Sequence, residues 1–164
     1  MAANHTWVYD PRKITVIIGG EEVYGWAEGS MVSVDLADDI TSTTRGIDGR
    51  DKTVNINPMT DGTCTITLQA TSPFNKTLYL WAQAYKLGAS ATIAPIAPFS
   101  LRDPSGIAIE TTCWLQQAPS NAMGQEVGEL QWTLHLDDAL PKTNESWAAA
   151  TSVGSILGIN IPSL

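Results

Sequence analysis

DGTCTITLQATSPFNKTLYLWAQAYKLG, residues Asp61–Gly88, decides the fold. Asp61-Gly62 is a turn signal. From Thr63 the residues alternate: Cys64, Ile66, Leu68 and Ala70 on one face, Thr63, Thr65, Thr67 and Gln69 on the other. A period of two marks a half-buried strand, here with an uncharged, short-chained polar face. A helix is expected at once behind it, over Pro73–Leu87. Ser72 is a candidate N-cap, Pro73 suits the first helical position, and Asn75 can reach back from the third. Phe74, Leu78, Trp81, Ala82 and Tyr85 recur at helical spacing as an apolar stripe for packing on a sheet, while Lys76, Gln83 and Lys86 lie off it. Gly88 is the expected stop.

Outward from this stretch the chain reads as strands and turns. Lys13–Ile18 is rich in β-branched residues, Gly19-Gly20 turns it, and Glu21–Gly25 returns as a hairpin partner. Met31–Leu36 alternates, and Thr53–Asn57 leads toward the central strand. After the helix, Pro95 and Pro98 make Ala89–Pro98 an edge or connecting segment. Phe99–Asp103 reads as a short strand and Ile107–Gln117 as a long one. Gln125–Asp137 is the last, with Leu130, Trp132, Leu134 and Leu136 opposite Gln131, Thr133, His135 and Asp137. The expected fold class is mostly β: two packed antiparallel sheets, as a sandwich or partial barrel, flanked by one helix and carrying extended loops and arms.

Two segments depart from the pattern. Asp38–Lys52 has almost no large apolar residues beyond Ile40 and Ile47, and carries Asp38, Asp39, Arg45, Asp48, Arg50, Asp51 and Lys52. It can extend as a hairpin but cannot bury a face, and a loop this long in a compact domain is usually functional or disordered. Its mixed charges suit a partner surface. Residues 139–164 lose the alternation yet hold Ile156, Leu157, Ile159, Ile161 and Leu164. So apolar an extension is expected to dock on the body, residues 1–138, or on a neighbour.

At 164 residues and 43% hydrophobic, the chain is long and apolar enough for one domain with a real core. A net charge of −8 argues against a phosphate-gripping surface and for a wall to which DNA does not stick. The charge is uneven. Residues 58–102 carry Lys76, Lys86 and Arg102 against Asp61, whereas residues 103–164 carry seven acids against Lys142. Cys64 and Cys113 are expected as buried free thiols. No secretion signal and no membrane-length apolar run are read in the chain. His5 and His135 lack metal-ligand neighbours, Gly19-Gly20 opens no helix, and no nucleophile elbow occurs. Catalytic residues, cofactor and metal are therefore not expected.

Eight short motifs in order bring a family into view: Tyr9-Asp-Pro11; Gly19-Gly20 with Gly25 and Gly29; Gly46-Ile-Asp-Gly49; Thr71-Ser-Pro-Phe-Asn75; Asp103 with Gly106; Trp114-Leu-Gln-Gln-Ala-Pro119; Gly124-Gln-Glu126; and Trp132-Thr-Leu. Together, over residues 9–138, the chain resembles the tail-tube proteins of contractile-tailed bacteriophages. These share their fold with the tube proteins of type VI secretion and contractile bacteriocins. The resemblance implies a virion tail protein, assembled in the host cytoplasm as hexameric rings stacked into a hollow tube. The inner sheets of six subunits would join around the channel. Thr63, Thr65, Thr67, Gln69, Gln131, Thr133 and His135 would then face the lumen. The Asp38–Lys52 arm would contact the next ring through Asp38, Asp39, Arg45, Asp48, Arg50, Asp51 and Lys52. Lys76 and Lys86 would face the sheath. Sheath, baseplate and tail terminator proteins, a tape measure protein in the lumen, and double-stranded DNA in passage would be the partners, with no membrane.

Two other readings stand beside this one. The chain could serve a bacteriocin or secretion machine. It could also be a carbohydrate-binding or adhesive β-sandwich, since six tryptophans permit sugar platforms. Trp81 and Trp132 fall on expected core stripes, which argues against the latter.

Overall fold

The structure, a computed structural model, describes residues 6, 8–29, 31–87, 96–120 and 128–143. A short 3-10 turn, Pro11–Lys13, is capped by Asp10, whose carboxylate accepts from the Arg12 backbone N–H. Strand β1 (Thr15–Ile18) then turns tightly into β2 (Glu21–Glu22). Gly19 and Gly20 take φ of 62° and 85°, the pair of positive angles that a two-residue hairpin of matching twist requires. The remaining strands are β3 (Val32–Leu36), β4 (Thr41–Arg45), β5 (Lys52–Ile56), β6 (Gly62–Gln69), β7 (Ala97–Arg102), β8 (Ile107–Gln117), β9 (Glu129–Leu136) and β10 (Lys142–Thr143). The helix α1 runs Phe74–Leu87.

The expected two antiparallel sheets and single helix are present, and they divide the work unequally. One sheet has the order β2-β1-β7-β8-β9-β6-β3, with β10 added to β8. It does not close into a barrel: β2 and β3 end the path. The second sheet is the β4–β5 hairpin alone, exposed along both strands. Helix α1 therefore supplies the cover for the large sheet, through Phe74, Leu78 and Trp81. These pack with Val16, Ile18, Phe99, Leu101, Ile109, Ile66, Leu68, Trp132, Leu134 and Leu136 in one hydrophobic core. Cys64 and Cys113 lie in the same core as free thiols, as expected.

Several local expectations shift. Helix α1 turns Asn75 and Ala84 inward, while Tyr85 is 37% exposed and Ala82 half-buried, so the buried stripe is Phe74, Asn75, Leu78, Trp81 and Ala84. Tyr85 instead accepts a hydrogen bond from the Leu115 N–H at 3.1 Å. The Ser72 hydroxyl does not serve the helix; it donates to the Tyr24 carbonyl at 2.8 Å and ties the helix entry to the loop after β2. Asn75 does reach back, donating to the Gln69 carbonyl at 2.8 Å. Pro98 lies in a strand with neighbours on both sides, not at an edge. It is tolerated because it is the second residue of β7, just outside the β1 register, where its carbonyl accepts from the Gly19 N–H. Much of the Asp38–Lys52 loop proves to be a regular hairpin, pairing Thr41 with Ile56 through Arg45 with Lys52. Gly88, the segments 89–95 and 121–127, Trp147 and the extension after Thr143 lie outside the described residues.

Candidate assembly surfaces

Strands β6 and β9 pair antiparallel along eight residues each. The register sets Thr63 opposite His135, Thr65 opposite Thr133, Thr67 opposite Gln131, and Gln69 opposite Glu129. Directly paired residues share a face. All seven channel-face candidates, Thr63, Thr65, Thr67, Gln69, Gln131, Thr133 and His135, are thus brought together on one continuous polar surface. The alternate residues Cys64, Ile66, Leu68, Trp132, Leu134 and Leu136 are fully buried beneath it. On the far side of β6, Ser33 and Asp35 of β3 pair with Thr65 and Thr63 and extend the same face.

The surface has more members than alternation over two strands revealed. Trp114 of β8 pairs with His135, and their rings stack with centroids 4.6 Å apart. His135 Nε2 lies 3.3 Å from Asp61 Oδ2. Farther out, Arg102 and Glu110 form an exposed ion pair at 2.8 Å. Thr112 and Trp114 do alternate with Cys113 in the sequence, so this part was readable in principle. A β-bulge between Leu115 and Gln117 breaks the alternation immediately beyond, and only the pairing across strands shows which residues continue the face.

Beneath the polar rows one side chain organises the join between sheet and helix. Trp132, fully buried, donates its indole N–H to Asn75 Oδ1 at 3.0 Å. Tyr79 meets the Trp132 ring edge-on at 4.7 Å. A buried indole N–H without a partner would cost about 1–3 kcal/mol, so Asn75 sets how α1 sits on β9. At the other end of the strand pair, a Cβ on Gly62 would fall against the Asp35 carbonyl oxygen, so β3 can approach β6 this closely only at a glycine. Burial pushes both thiols up to about 12, Cys64 further raised by Cys113 and Asp35. Neither supplies a thiolate near neutral pH.

The hairpin is a second surface. Arg45 and Lys52 face each other at its far end, and Asp48, Arg50 and Asp51 lie in the turn between them. All five are exposed, as are Asp38 and Asp39 at its base. Asn55 spans one side of the hairpin, donating to Thr44 Oγ1 at 3.1 Å. The opposite side carries Val54 and Ile56, 60% and 79% exposed, and the turn presents Ile47 to solvent. Lys76 and Lys86 are exposed on the outer side of α1, away from the polar rows.

No protein-family model and no curated protein matches this sequence. Solved structures do match in shape. One chain of the cryo-EM structure of the anti-feeding prophage cap (the AFP tube-terminating cap) superposes with a TM-score of 0.55 at 16% identity, covering 87% of this chain and 96% of that one. The chain shares its fold with components of contractile injection systems. A chain of the PVC sheath/tube terminator in the extended state matches with a TM-score of 0.56, at 16% identity, over 84% of this chain and 99% of that one. A chain of the PVC sheath–tube complex gives 0.54 at 16% identity, over 84% and 93%. The likeness spans nearly the full length of each, so it concerns the whole fold and not a shared fragment.

Proposed function

We propose that this chain is a structural, non-enzymatic ring subunit of a contractile tail tube, of the kind that bacteriophages carry. One observation carries the reading: an open sheet has an apolar face under α1 and a polar face of threonines and glutamines, and its end strands β2 and β3 have no outer partner among the described residues. Free edges invite strand pairing. In a closed ring of six copies, β3 of one subunit and the β1–β2 side of the next would cap each other, and the polar faces would line a water-filled bore. Thr63, Thr65, Thr67, Gln69, Gln131 and Thr133 would hold water there without gripping phosphate. Asp35, Asp61 and Glu129 at the margins would repel DNA in passage.

The β4–β5 hairpin would reach the neighbouring ring and α1 would face outward, with Lys76 and Lys86 toward the sheath. The remaining partners on this reading are the baseplate, the tail terminator and, before ejection, a tape measure protein in the bore. The setting is a virion tail assembled in the host cytoplasm.

A second reading is favoured by the matched structures themselves, which come from injection systems and include a cap and a terminator. On it, the chain forms a ring in such a machine or closes the end of its tube. Negative-stain electron microscopy of concentrated full-length protein tests both. Long tubes of uniform bore support the tube subunit, and single rings that do not stack support a terminator. A dispersed monomer that binds glycans would overturn both in favour of an adhesive sandwich. Against that outcome, Trp81 and Trp132 are buried and one face of Trp114 is covered by His135.

A further inference from the structure

A groove of about 430 Å³ opens between α1 and the strands β1 and β7. Thr77, Leu80 and Trp81 line it from the helix, and Ile18, Ile96 and Pro98 from the side of the sheet. Leu80 and Ile96 are each 53% exposed there, costly for large aliphatic side chains in a hollow without a cover. An apolar cavity of about 150 Å³ accepts one benzene-sized group, so this groove has room for roughly two or three such side chains. Among the described lining residues Glu21 alone is charged. The groove therefore suits an uncharged, apolar segment, which brings no charge to be stripped of water.

This chain carries such a segment. Residues 146–164 contain no Asp, Glu, Lys, Arg or His. Within them Leu157, Ile159 and Ile161 fall at every second position, so an extended backbone turns all three to one side. Thr143, which precedes the segment, pairs with Ile107 at the start of β8, whereas the groove lies by the end of β1 and the beginning of β7. About 20 Å along the strands and about 10 Å across them separate the two places. The stretch from Thr143 to Leu157 can span about 46 Å, more than enough to reach. Residues 88–95, which join α1 to β7, hold one large aliphatic, Ile93, too little to fill the groove.

We infer that the groove is the seat of the chain's own C-terminal extension, with Leu157, Ile159 and Ile161 laid against Leu80, Trp81 and Ile96. A tethered segment meets its groove at an effective concentration that a second copy matches only in the millimolar range, which favours the same chain over a neighbour. The inference concerns the single subunit and does not depend on the ring reading.

The full-length double variant Leu80→Cys/Ile159→Cys tests it, since the native thiols are buried. Under mild oxidant it should form an internal disulfide, seen as a faster band on a non-reducing gel, in a yield unchanged over a roughly tenfold range of protein concentration. A disulfide between chains, rising with concentration, assigns the groove to a neighbour's extension and overturns the inference. An internal disulfide in Leu80→Cys/Ile93→Cys in its place assigns the groove to the connection between α1 and β7 and overturns it too. Because a disulfide can trap a rare approach, maleimide labelling of Leu80→Cys alone gives a second reading. A seat filled roughly nine-tenths of the time slows labelling about tenfold, and adding Leu157→Ser, Ile159→Ser and Ile161→Ser should restore the fast rate. Equal rates with and without those three substitutions, or no disulfide in either double variant, overturn the inference.

Discussion

The seam between α1 and β9 and the β4–β5 hairpin are opposites within one chain. At the seam, Trp132 is fully buried, its N–H is taken by Asn75, and Asn75 is held in turn by the Gln69 carbonyl. Among the described residues no buried side-chain nitrogen or oxygen lacks a partner. The hairpin pairs its own backbone and one polar side, then leaves Ile47, Val54 and Ile56 in solvent. Only at the seam are the side chains' needs met inside the chain. The difference separates residues that hold the fold together from exposed residues that, on the proposed reading, an assembly would bury.

The comparison breaks most sharply at Trp132. Trp132→Ala should cost about 3–5 kcal/mol in urea unfolding of the free subunit, because it leaves a cavity and strands Asn75. Asn75→Ala should cost about 1–3 kcal/mol, since the buried Trp132 N–H loses its partner while the Gln69 carbonyl keeps the Ser72 N–H and the core volume changes little. A loss below 1 kcal/mol would mean that water takes over the role of Asn75.

The two thiols give a smaller, pH-dependent effect. Their folded pKa of about 12 lies above the ordinary 9.0, so the unfolded chain releases these protons first. Their contribution is complete below about pH 9 and falls as pH rises toward 12, by up to ~1.4 kcal/mol per pH unit for each thiol. Urea midpoints measured across this range should decline less steeply in the Cys64→Ala/Cys113→Ala double variant.

Smallest for the fold is the hairpin. Val54→Thr with Ile56→Thr should leave thermal unfolding of the free subunit within about 0.5 kcal/mol of the parent. The same variant should lose tubes or rings in the microscope. A loss of stability comparable with Asn75→Ala would show that the hairpin serves the subunit after all, and the contrast would collapse.

The contrast also explains what could be read in advance. The β6 alternation, from Thr63 to Gln69, is carried by adjacent residues and was legible. So were the glycine turn at Gly19-Gly20 and the burial of both cysteines. The helix was legible in place but rotated: Tyr85 was assigned to the buried stripe and Asn75 only to a cap. Hydrophobicity ranks a tyrosine above an asparagine, and nothing in the local pattern shows that an indole N–H from Trp132, 57 positions away, waits for that amide. In the sequence Pro98 belongs to an edge or connecting segment because its missing N–H excludes most sheet positions. The structure uses one of the few positions that it allows.

The candidate polar surface divides along the same line. Alternation by itself determined that Thr63, Thr65 and Thr67 face one way on their strand and that Gln131, Thr133 and His135 do so on theirs. It also determined that 38–52 could not bury a face. Only the tertiary structure decided that the two polar rows are neighbours in register, that Trp114, Asp61 and Asp35 join them, and that the helix, not a second sheet, covers the core. The reason is physical. Periodicity is set by backbone geometry over a few residues, whereas register and neighbours follow from pairing strands far apart in the chain, where a shift of one residue would exchange the buried face for the wet one.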